Sequence, residues 1–366
     1  MSNTQNLINL NDVVIRFSGD SGDGMQLTGT LFSDTSALLG NSVSTFPDFP
    51  SEIRAPQGTV AGVSGFQVHF GSQAVRTPGD YCDVLIAMNP AALLANAKWL
   101  KKGATAILDR DEFDEKKIVK AGYKTLDPIQ ELKLEDHNVI FAPITSLTKE
   151  VLSDSGLDGK AVIRSKNMFA LGMCYYLFNF SLEHTEAYFD IKFGKKPGVS
   201  DANKKVLKGG FNYAANNHLF ANTYNVEPMH PEKGRYRNIS GNVATAWGLM
   251  AAAEKAKLPL FCGSYPITPA TAILEELVKH KELGVKAIQM EDEIAGVCTA
   301  IGAAFAGNLA VTTTSGPGLS LKSEALGLAV IAELPLVVVD VQRAGPSTGI
   351  PTKTEQGDLA QALYGG

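Results

Sequence analysis

The stretch LPLFCGSYPITPATAILEELVKH, residues 258–280, decides the fold. It opens on a short apolar run, Leu258 to Cys262, which reads as a strand. It closes on Ala270 to His280, whose apolar residues recur at helical spacing. Between them, Tyr265-Pro266-Ile267-Thr268-Pro269 places a hydroxyl on a turn stiffened by proline. Strand, tight turn and helix in that order are the repeating unit of a parallel sheet covered by helices.

The unit recurs downstream. Ala287 to Met290 predicts a strand and Glu293 to Ala306 a helix of small apolar residues. Leu309 to Thr314 is another strand, followed by the turn Ser315-Gly316-Pro317-Gly318 and a helix over Leu319 to Ala332. Leu334 to Val341 is an apolar strand ending near Gln342-Arg343. Ligands of such sheets bind beyond the carboxyl ends of the strands. Thr268, Glu293, Ser315 and Arg343 each follow a strand, so they are expected along one edge.

Upstream, Ser240 to Lys255 is Ala-rich and helical. Val226 to Arg237 carries two prolines, a glycine and mixed charge without an apolar period, which marks a linker. The expected organisation is a domain over 1–225, a linker over 226–238 and a second domain over 239–366. The first domain is also α/β. Val13 to Phe17 reads as a strand interrupted by Arg16, the loop Gly19-Asp20-Ser21-Gly22-Asp23-Gly24 follows, and a helix runs from about Met25 to Leu39. Phe46 to Pro56 reads as an irregular loop. Gly58 to Phe70, Asp83 to Met88, Ala104 to Asp109 and Asn138 to Phe141 read as strands. Helices are expected over Ala91 to Leu100 and Ala161 to Phe178, with residues 180–225 polar and helical.

Composition bounds the function. The chain has 366 residues, 45% hydrophobic and 19% charged, with 35 glycines, as befits large cores joined by tight turns. A net charge of −5 leaves no electrostatic footprint for nucleic acid. No apolar run is long enough for a transmembrane helix, and the polar N-terminus lacks a signal peptide's pattern. Cys82, Cys174, Cys262 and Cys298 are far apart in sequence, which excludes a CxxC-type zinc or iron–sulfur site. Each lies in an apolar segment and reads as a buried, reduced thiol, consistent with the cytoplasm.

Each chemistry-bearing residue has two readings. Glycines 19, 22 and 24 let backbone N–H groups approach an anion at a helix start, or simply make a tight strand-to-helix turn. Thr268 can cap the following helix, with Pro269 at its first position, or face a substrate anion. Glu291, Asp292 and Glu293 are ordinary first-turn acids, or one of them borders a buried surface and bonds a ring nitrogen. Arg343 is a surface ion-pair residue, or a bidentate partner for a carboxylate.

These residues resemble the 2-oxoacid:ferredoxin oxidoreductases, which use thiamine diphosphate. The pieces that carry the likeness are SGDSGDGMQLTG (18–29), KNMFALG (166–172), GNVATAWGLMAAA (241–253), YPITPAT (265–271), EDEIAGVCTAIGAAFAG (291–307), TTTSGPGLSLKSEALGLAV (312–330) and VQRAGPSTGIPTKTEQGD (341–358). The likeness is to the subunit in which a γ-type domain, associated with coenzyme A, precedes an α-type, pyrimidine-binding domain; 2-oxoglutarate is the substrate it favours. The resemblance implies that Thr268 contacts substrate and Arg343 holds its carboxylate. It implies that Glu293 bonds the pyrimidine N1′, beside Ile267, and assists removal of the thiazolium proton. Gly19, Gly22, Gly24 and Gln26 become candidates for coenzyme A. It further implies a β-type partner subunit supplying the diphosphate–magnesium site and iron–sulfur cluster, with ferredoxin as acceptor. No metal site is expected on this chain: Gly22-Asp23-Gly24 mimics the start of the family's magnesium motif, but Asn41 stands too close to complete it. The family's fused subunits continue through a further domain, so this sequence is expected to be part of a longer chain.

Two other functions compete. A nucleotide-dependent dehydrogenase needs an acid about 20 residues beyond the glycine loop; Asp48 stands there, in the proline-rich stretch. The other is a non-catalytic subunit that binds coenzyme A or assists assembly.

Overall fold

The computed structural model describes residues 6–52, 55–229, 234–343 and 357–365. They form two compact units that divide between Asn238 and Ile239.

The first unit contains a six-stranded sheet and a two-stranded one. Its strands are β1 (Asn6–Leu10), β2 (Asp12–Asp20), β3 (Ser42–Asp48), β4 (Val63–Gly71), β5 (Cys82–Ala87), β6 (Leu100–Asp109), β7 (Asn138–Ala142) and β8 (Asn222–Val226). The larger sheet has the order β3-β4-β2-β5-β6-β7. β2, β5, β6 and β7 run parallel, whereas β4 is antiparallel to both β2 and β3. This sheet is therefore mixed, not wholly parallel. β3 occupies part of the expected irregular loop. Pro47 is tolerated because β3 is an edge strand, where a missing N–H breaks no inner ladder. β1 and β8 pair parallel on their own, and neither was expected.

β2 is buried from Val13 to Gly19. The buried Arg16 within it is tolerated because each nitrogen of its guanidinium has a partner. Nε donates to Asn96 Oδ1 at 2.6 Å, Nη1 to Gln67 Oε1 at 3.1 Å and Nη2 to Asp48 Oδ2 at 2.5 Å. Asp48 is thereby neutralised, and β4 separates β3 from β2. Neither feature suits the ribose-binding acid of a dinucleotide site, which removes the dehydrogenase reading. The core beneath is aromatic, with Phe32 contacting Phe17, Phe70, Tyr175, Phe178 and Phe180 at ring-centroid distances of 5.1–6.1 Å. The expected helix over Ala161 to Phe178 is two helices, Gly159–Arg164 and the almost wholly buried Lys166–Leu177.

The second unit carries β9 (Leu260–Ser264), β10 (Lys286–Gln289), β11 (Leu309–Thr314) and β12 (Val337–Asp340), in the order β10-β9-β11-β12, all parallel. Its main helices are Gly241–Ala256, Thr271–Val278, Glu293–Phe305 and Gly316–Ile331. Ser315-Gly316-Pro317-Gly318 is not a separate turn. Ser315 is the N-cap and the helix begins at Gly316, with proline in its first turn.

Candidate active site

The second unit brings Thr268, Glu293, Ser315 and Arg343 to one edge of its sheet. The turn after β9 carries Ile267, half-buried, and Thr268, exposed. Thr268 does not cap the next helix, which starts at Thr271 with Ala270 as N-cap. Its carbonyl instead accepts hydrogen bonds from Arg343 Nη1 at 3.3 Å and Ser315 Oγ at 3.1 Å. The Thr268–Pro269 peptide is cis, and Asn242 Nδ2 donates to the Pro269 carbonyl at 2.9 Å, tying the turn to the helix Gly241–Ala256.

Arg343, just beyond β12, is 6% exposed. Its Nε is buried without a hydrogen-bond partner among the described residues. Burial pushes its pKa below the ordinary guanidinium value, and the charge of Glu293 opposes that shift. A buried guanidinium with one loose contact and one orphaned N–H is poised to receive an anion. The following segment, Ala344 to Gly349, lies outside the described residues.

The three acids after β10 separate by role. Glu291 is exposed. Asp292 is the N-cap, its Oδ1 accepting from Ala295 N at 2.7 Å. Glu293 is the first helical residue and half-buried. It lies against Gly318: a Cβ added there would stand 2.8 Å from Glu293 Cγ and 2.0 Å from Thr314 Oγ1. The glycine thus makes room for the glutamate beside the carboxyl end of β11.

Sequence reasoning missed Lys322. It is fully buried, and its Nζ donates to the Glu293 carbonyl at 3.0 Å and to Thr312 Oγ1 at 2.9 Å. Burial pushes its pKa down to about 8, although Glu293 favours the charged form. Asp340 and Asp358 were also missed. Burial, followed by a hydrogen bond and repulsion from Asp358, pushes Asp340 up to about 7. Cys298 corrects an expectation: it is exposed on the helix Glu293–Phe305, whereas Cys82, Cys174 and Cys262 are buried.

In the first unit the glycine loop is largely self-satisfied. Gly24, at φ 74°, starts the helix Met25–Leu38 in a conformation that glycine adopts cheaply. Asp23 Oδ2 accepts from Asp20 N and Asp20 Oδ2 from Gly58 N, each at 2.9 Å. Lys166, buried behind the loop, pairs with Asp23 at 3.1 Å. Burial disfavours its ammonium, but Asp23 and Glu112 outweigh that and hold its pKa above the ordinary value. The Gln26 amide donates to Gly65 O at 2.7 Å, Ser64 Oγ at 3.1 Å and Asp48 O at 3.3 Å. Gly19 is buried, while Ser21 and Gly22 are exposed. A cavity of about 650 Å³ lies along the other end of that helix, lined among others by Leu31, Asp34, His184 and Tyr188.

Known proteins resemble the chain throughout. A family model described as "Pyruvate ferredoxin/flavodoxin oxidoreductase" matches residues 14–213, more than half of the chain. A second, "Pyruvate flavodoxin/ferredoxin oxidoreductase, thiamine diP-bdg", matches 252–365. The "2-oxoglutarate oxidoreductase subunit KorA" of Mycobacterium tuberculosis is 52% identical over 356 residues, covering 97% of this chain and 54% of that protein. The "2-oxoglutarate synthase subunit KorA" of Methanocaldococcus jannaschii is 48% identical over 128 residues, 35% of this chain and 34% of its own. A solved structure of 2-oxoglutarate:ferredoxin oxidoreductase from Magnetococcus marinus, with 2-oxoglutarate, coenzyme A and succinyl-CoA bound, superposes with TM-score 0.75 at 34% identity. It covers 98% of this chain and 57% of that one. The chain spans about half the length of the relatives that it matches from end to end.

Proposed function

The chain belongs to the pyruvate ferredoxin/flavodoxin oxidoreductase family, and from that premise we propose that its second unit supplies the pyrimidine-facing half of a thiamine diphosphate site in a 2-oxoacid:ferredoxin oxidoreductase. The reaction is oxidative decarboxylation of a 2-oxoacid to acyl-CoA and CO2, and 2-oxoglutarate is the substrate that the 52% and 34% identical relatives favour. The observation that carries this reading is the buried Arg343, whose Nε has no hydrogen-bond partner among the described residues, electrostatically coupled to Glu293 and held on the carbonyl of Thr268.

The residues fit that half of the cofactor. Glu293 is a half-buried carboxyl with space made for it by Gly318, as a partner of a ring nitrogen requires. Ile267 offers an apolar flank to the ring. Thiamine diphosphate, when bound, supplies the electron sink for loss of CO2. Arg343 binds the substrate carboxylate as a planar fork and Thr268 orients it. Glu293 holds a proton at the ring nitrogen. Among the described residues no group of three His, Cys, Asp or Glu is placed to hold a metal. On the chain's likeness to an α-type subunit, we assign the diphosphate–magnesium site and the iron–sulfur cluster to a β-type partner, which passes electrons to ferredoxin. Contact with coenzyme A at the glycine loop would use the exposed Ser21–Gly22 backbone, with Gly19, Gly24 and Gln26 shaping the turn. Among the described residues no helix is long and apolar enough to cross a membrane; the cytoplasm is the proposed setting because the cysteines are free thiols.

The test is Glu293→Gln in the assembly reconstituted with its partner. Glutamine keeps the size but cannot supply the carboxyl proton. C2-proton exchange of bound thiamine diphosphate, followed by NMR, should slow by about a hundredfold or more, in the range of general acid–base contributions, with the fold intact. Exchange at the wild-type rate would remove Glu293 from this role. Turnover of 2-oxoglutarate, pyruvate and branched 2-oxoacids by the same assembly then ranks the substrates.

A further inference from the structure

The inner face of the helix Gly316–Ile331 is made of Gly316, Gly318, Leu319, Lys322, Ala325 and Ala329. Lysine is the anomaly in that row. Burying an ammonium costs several kcal/mol in the absence of compensation, and a leucine or methionine would fill the same space without it. Here the ammonium donates to the carbonyl of Glu293 and to the hydroxyl of Thr312 on β11.

The carbonyl it chooses matters. Glu293 opens its helix, and the Asp292 cap holds the same turn from the other side. Gly318 and Lys322 are four residues apart, so they share a face of their helix. One face thus supplies both the space for the Glu293 side chain and a tether for its backbone. The charged and titratable groups facing Lys322 are Glu293, Asp292 and Cys298 from the helix Glu293–Phe305 and Cys262 from β9. We infer that Lys322 is a positioning residue, whose ammonium locks the first turn of the helix Glu293–Phe305 and thereby aims the Glu293 carboxyl. This inference rests on the role given to Glu293 above.

Lys322→Met is the test, since methionine keeps the length and apolar stem but not the donors. Backbone hydrogen exchange of Ile294 to Val297 is read first, in the chain without cofactor. Exchange at least about tenfold faster in the variant is expected, because the tether that resists local opening is gone. In the reconstituted assembly, kcat should fall about 10–100-fold with KM within about twofold, as for supporting groups around a reactive centre. Wild-type kcat should also fall as pH rises through about 8, where the ammonium is lost, and that limb should be absent in the variant. Unchanged exchange, or unchanged kcat and pH limb, overturns the proposal. A purely structural lysine would lower the melting temperature and move neither readout. Should the methionine variant fail to fold, Lys322→Leu, which also removes the donors to the Glu293 carbonyl, decides by the same exchange measurement: faster exchange of the turn supports the tether and unchanged exchange overturns it. The exchange readout needs no thiamine diphosphate, so its failure is distinguishable from failure of the cofactor reading, which Glu293→Gln tests.

Discussion

Arg343→Met should cost the protein almost no stability while removing its ability to hold a substrate carboxylate. Breaking a buried, well-paired charge ordinarily costs about 3–5 kcal/mol. Arg343 is buried but poorly paired: its contact to Thr268 is 3.3 Å long and its Nε has no hydrogen-bond partner among the described residues. Losing that contact costs about 1.5 kcal/mol, the low end for a charged hydrogen bond. Releasing an unsatisfied buried donor returns about 1–3 kcal/mol. The two cancel to within about 1.5 kcal/mol, so the melting temperature measured by calorimetry should move by only a few degrees. Catalysis should respond differently. Loss of a charge-assisted fork worth about 3 kcal/mol lowers kcat/KM for the 2-oxoacid by about a hundredfold, with thiamine diphosphate affinity within about twofold. Arg343→Lys should fall between the two, because it keeps the charge but not the planar fork. A large drop in melting temperature combined with unchanged kcat/KM would refute the reasoning and make Arg343 a structural residue.

Other outcomes follow from the same geometry. Gly318→Ala should destabilise the second unit by about 1–3 kcal/mol through overpacking and lower activity together, since the new Cβ meets Thr314 Oγ1 and Glu293 Cγ. Gly302→Ala, on an exposed helical position with nothing within 4 Å, should instead raise the melting temperature. Asp340 binds its proton more tightly folded than unfolded, so its stabilising share is complete below its ordinary value of 3.8 and is lost as pH rises through about 7. Asp340→Asn, which can donate to Asp358 at any pH, should flatten that part of the stability curve and add about 1 kcal/mol at pH 7.5, the net worth of a hydrogen bond; an unaltered curve in chemical denaturation counts against the pairing. A thiol reagent added to the isolated chain should modify Cys298 promptly and spare the rest, since burial removes access and pushes Cys82 and Cys262 up to about 12; rapid modification of more than one thiol contradicts the burial.

The alternation of strand and helix from Leu258 to Val341 was legible in the sequence because a parallel sheet buried on both faces demands short apolar runs, each followed by helical periodicity. That alternation also placed Thr268, Glu293 and Arg343 after strands, which is where a ligand edge forms. Ser315-Gly316-Pro317 carries a local signal too: serine before an early proline marks a helix start, and the structure begins the helix there. Ser42–Asp48 was hidden because Pro47 argues against a strand, an objection that lapses on an edge. What remained was decided by tertiary structure alone. β1 and β8 pair across more than two hundred residues, and each is only five residues long with asparagines among its apolar residues, too little for a strand pattern to stand out. Cys298 and Cys262 both sit in apolar sequence, yet only the packing of the helix leaves the first exposed. Lys322 is the clearest case. A lysine between Leu321 and Ser323 reads as solvated, and nothing local shows that its ammonium meets the carbonyl of Glu293, 29 residues earlier. Sequence periodicity reports which way a side chain faces relative to its own element, but what lies opposite is set by how separate elements pack.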